Sequence, residues 1–495
     1  MRDTILVLDE GTTSTRAILF GRDGRQRDVE QAELKQHYPR PGWVEHDAAE
    51  IWDKTLACAR AVVERAGGAE AVGCIGITNQ RETVVAWDRE TSEPLARAIV
   101  WQDRRTAPIC ARMREAGLED DIQRRTGLLL DPYFSGTKMR WLIENDTDVS
   151  QAAKAGRLAL GTIESWLVWK LTGGETFVTD ASNASRTLLM PLDGDGFDES
   201  LCDQFGVPTD ALADVVDCAG EIGLTDAEMF GAPIPITGMA GDQQAATIGQ
   251  NCLGDGQTKA TYGTGAFVLT NMGATLPRSC NRLLGTVLYQ LKGRRTYALE
   301  GSVFVAGSLM QWMRDGLVLL EASAESETLA RSVEDNGGVT VVPALTGLGA
   351  PYWDSGARGL IEGLTFATQK AHIVRAALES MAHQTSDLAA AFGKDGADWS
   401  QLHIDGGMSA NDWMAQDLAD MLETEVVRPD YVETTALGAA MLAAHGAAFY
   451  DSLENAAEAM SGPSRKFTPE MDDDVRQVRC AQWKRAVDIV RAQVR

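Results

Sequence analysis

The sequence predicts an α/β protein of two domains, and three observations carry that prediction. Strand-type β-branched runs and helix-spaced apolar stretches alternate along all 495 residues. A chain of this length exceeds what one hydrophobic core sustains, so it divides. One device also occurs twice: residues 5–20 (ILVLDEGTTSTRAILF) and 257–270 (QTKATYGTGAFVLT) each read as strand, Gly/Thr turn, strand. Successive turn amides form an anion-binding concavity, and the threonines add hydroxyl donors. Two such turns, one near the start of each half, point to two domains gripping one phosphate chain.

Taken in order, the first hairpin brings Asp9 to the end of its leading strand. Gly11, Thr12, Thr13 and Ser14 form the turn, and Arg16 begins the return strand. Asp9 is suited to hold Mg²⁺ directly or through water; the alternative is a surface hairpin with a polar tip. The apolar spacing of Glu50–Arg65 predicts a helix, and Gly73–Thr78 and Pro233–Gly238 read as short strands. The stretch GMAGDQQAA (238–246) follows a strand and opens a helix at Asp242, either as a carboxylate with a chemical task or as a plain cap. The domain boundary falls near Gly249, giving domains 1–248 and 249–495.

In the second half, Gly263, Thr264 and Gly265 form the second turn, and AGSLMQW (306–312) reads as a helix start. His372–Ala391 is helix-spaced. IDGGMSAND (404–412) reads as a strand running into adjacent glycines, with Asn411 opening a helix. Adjacent glycines let a flat group such as adenine approach the backbone; a simple strand-to-helix turn with an Asn cap is the alternative. Ala436–Phe449 is Ala-rich but broken by Gly438, His445 and Gly446, so it reads as a buried helix and not as a membrane span.

A formal charge of −25 argues against nucleic acid and against anionic lipid as partners. An anionic ligand must then be held by local donors and a divalent cation. The apolar run before Asp9 is too short for a signal peptide. Eight cysteines, from Cys58 to Cys480, show no C-x-x-C spacing and read as reduced core thiols of a cytoplasmic protein. No P-loop occurs, since Gly393–Lys394 is followed by Asp395, and no H-R-D, G-x-G-x-x-G, G-x-S-x-G or H-E-x-x-H motif is present.

With the three glycine segments in order, the sequence resembles the carbohydrate kinases of the actin-like ATPase superfamily, and among them the glycerol kinases. The resemblance extends through PGWVEHDAAEIW (41–52), GITNQRET (76–83), IVWQDRRT (99–106), DPYFSGTK (131–138), VTDASNASRT (178–187), GMAGDQQAA, TYGTGAF (261–267) and GLGAPYWDSGARG (347–359). It implies two actin-like (ribonuclease H-like) domains with a catalytic cleft between them. The implied reaction moves the γ-phosphoryl group of ATP, as its Mg²⁺ complex, to a primary hydroxyl of glycerol, giving sn-glycerol 3-phosphate for glycerol catabolism.

By that resemblance Asp242 is the catalytic base, and Asp9 and Asp242 face the metal. Arg81, Glu82, Trp101, Tyr133, Gln243 and Phe267 join Asp242 around the polyol. Thr12, Thr13, Ser14, Arg16, Thr264 and Gly265 meet the phosphates, while Gly307, Gln311, Gly407 and Asn411 line the nucleoside. The second domain is expected to hold most of the ATP and the first the polyol, with closure expelling water. A homodimer or homotetramer is implied.

Two departures stand out. Glu10 occupies a position where the family usually has Gln, and its side chain is expected to point away from the phosphate turn. The stretch AEMFGAPIP (227–235) has no basic residue or His, so inhibition by a sugar bisphosphate and activation by phospho-histidine are not expected there. The alternatives left open are a kinase of xylulose, erythritol or dihydroxyacetone on the same fold, and a non-enzymatic ATP-gated module.

Overall fold

The computed structural model describes residues 3–354, 356–431 and 433–492. In the first half, β1 (Thr4–Glu10), β2 (Ser14–Gly21) and β3 (Gln26–Glu33) form an antiparallel meander. Helix α1 (Ala48–Ala66) follows, then β4 (Val72–Asn79), β5 (Ala219–Leu224), β6 (Pro235–Gly241) and helix α2 (Asp242–Gly249). The sheet order is β5-β6-β4-β1-β2-β3, with β1, β4 and β6 mutually parallel.

The second half repeats this plan. It contains β7 (Gln257–Tyr262), β8 (Ala266–Asn271), β9 (Leu284–Leu291), β10 (Arg294–Val303) and α3 (Gly307–Asp315). Then come α4 (Lys370–Lys394), β11 (Gln401–Asp405), α5 (Asp412–Leu422), β12 (Val426–Pro429), α6 (Thr434–Gly446), β13 (Ser464–Phe467) and α7 (Asp473–Ala492). The order is β9-β10-β8-β7-β11-β12-β13, with β7, β11 and β12 parallel. Outward from β3 the pairings of the first sheet run antiparallel, antiparallel, parallel, parallel, antiparallel; outward from β10 the second sheet runs the same way, with β9 added antiparallel beyond β10. The two predicted hairpins therefore hold equivalent places in one shared pattern of strand directions, though the antiparallel edge strand precedes its neighbour in the first half (β5 before β6) and follows it in the second (β13 after β12).

Burial on both faces explains the unbroken ILVL of β1. Leu6 and Leu8 pack with Ile51, Ala59 and Val62 of α1 in one core. Ile5 and Val7 pack with Ala439, Ala440 and Leu442 of α6 in another. Because strand side chains alternate, Asp9 follows Val7 toward α6 and Glu10 follows Leu8 toward α1.

The helix read at Glu50–Arg65 is α1, capped by Asp47, which accepts from the N–H groups of Ala49 and Glu50. The strand read at Pro233–Gly238 begins two residues later and runs on to Gly241, because Met239–Gly241 find ladder partners along β4. The predicted buried helix is α6, and Gly438 is there for contact: a Cβ on it would lie 1.8 Å from the Ala245 carbonyl oxygen. On the crossing helix, a Cβ on Gly249 would lie 1.9 Å from the Thr434 oxygen. Asp405, ending β11, accepts from Gln250 Nε2 at 2.7 Å and Thr434 Oγ1 at 2.5 Å, so it joins the end of α2 to the start of α6.

Six of the eight thiols are buried, but Cys280 and Cys480 are exposed, so the core-thiol expectation does not extend to those two. Among the described residues no helix is long and apolar enough to cross a membrane.

Candidate active site

The site begins at the two turns. In the first, the carbonyls are committed to the protein: Gly11 O accepts from Gln80 Nε2 at 3.0 Å, Thr12 O from Gln36 Nε2 at 3.2 Å and Thr13 O from the Leu34 N–H at 2.8 Å. The N–H groups of Thr12 and Thr13 then remain as donors, together with the hydroxyls of Thr12, Thr13 and Ser14. Arg16 lies opposite Asp9 in the ladder and forms ion pairs with Asp9 and, from the second half, with Glu433 at the start of α6. Burial raises the Asp9 carboxyl, against the pull of Arg16.

Glu10 does point away from this turn, toward α1. Its Oε2 lies 2.8 Å from Thr55 Oγ1, and burial pushes its pKa up to about 8. Thr55 has one hydrogen to give and a second acceptor, Ile51 O, at 2.7 Å. A protonated Glu10 donating to Thr55 satisfies both contacts. A group with that pKa is mostly protonated at neutral pH, so Glu10 brings little negative charge near the turn.

The second turn is tethered by the start of α3: Gly307 N–H donates to Gly263 O at 2.9 Å, and Ala306 N–H to Thr264 O at 2.9 Å. Thr264 and Gln311 are exposed, and Gly265 is half-buried. Gly407 starts a short 3₁₀ turn with nothing within 4 Å of its Cβ position, an open face that a flat ring can approach. Asn411 caps α5, accepting from the Met414 N–H at 2.9 Å, so the cap reading of this residue is realised.

Arg81 and Glu82 open no helix. They sit in the turn beyond β4, 3% and 1% exposed, where charged groups persist only when paired. Arg81 reaches Asp242 Oδ1 with Nε at 3.2 Å, Glu300 Oε2 with NH1 at 2.6 Å and the Tyr133 hydroxyl with NH2 at 3.2 Å. Gly241 makes room for this: a Cβ there would lie 2.7 Å from Arg81 Cγ. Glu82 has φ of 60°, a strained value for a non-glycine residue. Its carbonyl accepts from Ser135 Oγ at 3.2 Å, and its Oε1 from Arg186 Nε at 2.6 Å.

Asp242 is the first residue of α2, and its Oδ1 accepts from the Gln243 N–H at 2.7 Å. About a third of its side chain still meets solvent, at 34%. Enclosure between the halves raises its pKa, while Arg81 and Lys259 pull it back. Lys259, fully buried on β7, donates to Gln243 Oε1 at 2.6 Å. An ammonium can only donate, so the Gln243 amide must turn its NH₂ elsewhere.

Trp101 connects the two sides of the site. Its Nε1 donates to Thr12 Oγ1 at 3.0 Å, and its ring meets Tyr133 edge-on at 5.7 Å. Phe267, on β8, pairs with Ser302 and so shares a sheet face with Glu300.

Contacts thus join Thr12, Trp101, Tyr133, Arg81, Glu82, Asp242 and Gln243 in one network, while Asp9 and Arg16 pair with each other and with Glu433. Phe267, Thr264, Gly265, Gly307, Gln311, Gly407 and Asn411 line the second half without side-chain contact to that network. Sequence reasoning missed Arg186, Glu300 and Lys259, all buried. Glu300 and Lys259 had a signal, a single charge within an apolar strand run (TYALEGSV, TKATY).

The chain matches the N-terminal domain of the FGGY family of carbohydrate kinases over residues 4–249 and its C-terminal domain over 258–447. It is 51% identical over 492 residues to a glycerol kinase of Methylobacterium nodulans, covering 98% of each chain. It is 52% identical to one of Dechloromonas aromatica, covering 98% of this chain and 97% of the relative. Among solved structures, Plasmodium falciparum glycerol kinase with ADP superposes with a TM-score of 0.94 at 35% identity, covering 98% of both chains. A gluconate kinase from Lactobacillus acidophilus, at 21% identity and a TM-score of 0.88, shares the fold.

Proposed function

The chain belongs to the FGGY family of carbohydrate kinases and groups with its glycerol kinases, and from that premise we propose that it transfers the γ-phosphoryl group of Mg-ATP to a primary hydroxyl of glycerol, with Asp242 as general base. The product is sn-glycerol 3-phosphate, for glycerol catabolism. The observation that carries this reading is Asp242 itself: an enclosed carboxylate of raised pKa, open to the cleft and 3.2 Å from Arg81. A base poised above the usual carboxylate range accepts a hydroxyl proton more readily.

Arg81, Glu82, Tyr133 and Gln243 supply donors and acceptors for the three hydroxyls, and Trp101 and Phe267 wall the carbons. Paired polar groups reject analogues lacking a hydroxyl far better than an apolar slot does. The turns at Thr12–Ser14 and Thr264–Gly265 with Arg16 hold the phosphates, and Gly307, Gln311, Gly407 and Asn411 hold the nucleoside. We assign residues 1–248 chiefly to the polyol and first phosphate turn, and 249–495 chiefly to ATP.

Among the described residues no group of three or more metal-ligating side chains occurs. That suits Mg²⁺, which takes one or two carboxylates beside phosphate oxygens and water; Asp9 and Asp242, which feel each other's charge, are the candidates. When bound, the ion neutralises phosphate charge; alignment of the hydroxyl and acceptance of its proton fall to the chain's own residues.

Replacing Asp242 by Asn is expected to lower kcat by about 10²–10⁴ with ATP affinity nearly intact. An unchanged kcat in a coupled ADP-release assay would remove Asp242 from the role. The same assay across glycerol, dihydroxyacetone, erythritol and pentuloses tests the substrate, with glycerol expected to give the highest kcat/KM. Sedimentation velocity tests the proposed homodimer or homotetramer.

A further inference from the structure

Two residues buried beside Arg81 and Glu82 have no part in the reading above. Glu300, on β10 of the second half, divides its oxygens between two arginines of the first: Oε2 accepts from Arg81 NH1 at 2.6 Å, and Oε1 from Arg186 NH2 at 2.8 Å. Arg186 Nε in turn donates to Glu82 Oε1 at 2.6 Å. The four charges alternate in sign, and none of the four side chains is more than 3% exposed.

We propose that Glu300 and Arg186 are positioning residues for the polyol: Glu300 fixes the guanidinium of Arg81, Arg186 fixes the carboxylate of Glu82, and recognition by the first half thereby depends on a carboxylate lent by the second. This inference rests on the glycerol kinase reading of the site.

The geometry shows why both are needed. With NH1 held by Glu300 at 2.6 Å and, less closely, by Gln244 Oε1 at 3.3 Å, the Nε and NH2 edges of Arg81 are directed to Asp242 and the Tyr133 hydroxyl, each at 3.2 Å. Without Glu300, only the neutral Gln244 and Tyr133 oppose the pull of Asp242, and the guanidinium shifts toward the base. Arg186 fills the corresponding place for Glu82, whose backbone is strained at φ of 60° and whose carbonyl is gripped by Ser135. A planar fork presents donors to two carboxylates in a fixed geometry, which an ammonium with rotatable donors does not impose. Buried ion pairs are seldom the cheapest way to stabilise a fold, since apolar replacements often match them. Orientation is what this ring provides. Glu300 stays ionised within it: burial alone would raise its pKa, but Arg186 and Arg81 hold it below the usual carboxylate value.

The test compares Glu300→Gln and Arg186→Lys with the wild-type enzyme, recording KM for glycerol, KM for ATP and the melting temperature. Wild-type turnover of glycerol is measured first, so that failure of the functional reading is seen separately. The expected result for Glu300→Gln is a KM for glycerol raised tenfold or more, with KM for ATP within twofold. Arg186→Lys should raise KM for glycerol similarly, again with KM for ATP within twofold. Unchanged KM for glycerol in both folded variants, equal changes in both KM values, or failure of both variants to fold would each overturn the proposal in favour of a purely structural ring.

Discussion

Glu10 shows how a single side chain makes stability depend on pH. Its native pKa of about 8 lies above the ordinary value of 4.5, so between those limits the folded chain binds a proton that the unfolded chain has released. Stability therefore falls as pH rises from about 4.5 to about 8 and then levels off. Gln in its place can donate to Thr55 as the protonated carboxyl does and carries no such penalty. Glu10→Gln is expected to melt close to wild type at pH 5 and several degrees higher at pH 8, a difference of a few kcal/mol at most. Calorimetry at the two pH values checks this, and a gap that fails to widen with pH would count against a neutral Glu10. Residue chemistry was partly legible in the sequence. The strand alternation that sends Glu10 away from the cleft follows from ILVLDE alone, as does the place of Asp242 at a helix start. The partners of Arg81 and Glu82 were not legible, because Glu300 and Arg186, which bind them respectively, lie more than a hundred residues away and meet them only through tertiary packing.

Among the elements, the crossing of α2 and α6 is the most exacting contact. Both helices approach through glycine, and a methyl group at Gly438 would overlap the Ala245 carbonyl at 1.8 Å. Gly438→Ala is expected to cost about 1–3 kcal/mol or more and to reduce kcat, since α2 begins with Asp242. Gly462→Ala, where a Cβ meets nothing within 4 Å, is the control and should stay within about 0.5 kcal/mol in denaturant melts. Equal behaviour of the two variants would refute the tight crossing. Long periodic helices such as α1 and α4 were readable from spacing, as was the helix within 436–449. What faced it was not readable: glycines that look like breaks in a span are points of contact.

At the scale of the whole molecule, the chain carries one pattern of strand directions twice, and the duplication of the Gly/Thr hairpins anticipated this. Strand order was beyond the sequence, because parallel neighbours such as β1 and β4 are separated by more than fifty residues and by a helix. The distribution of thiols gives a direct check on packing. Two cysteines, Cys280 and Cys480, are exposed and six are buried. Native reduced protein should release about two equivalents of thionitrobenzoate rapidly with Ellman's reagent, and eight in guanidinium. Rapid release of more than two would contradict the buried placement of Cys58, Cys74, Cys110, Cys202, Cys218 or Cys252.

The eight residues of α2 make a rod about 12 Å long, with the Asp242 carboxylate at one tip and Gly249 pressed on the Thr434 carbonyl at the other. That second tip acts as a fulcrum. A tilt of about five degrees there swings the carboxylate by about 1 Å, and a misplacement of this size costs about 100-fold in rate. Small rocking of one lobe is thus geared directly into whether a proton acceptor stands in range, with no rotamer change required.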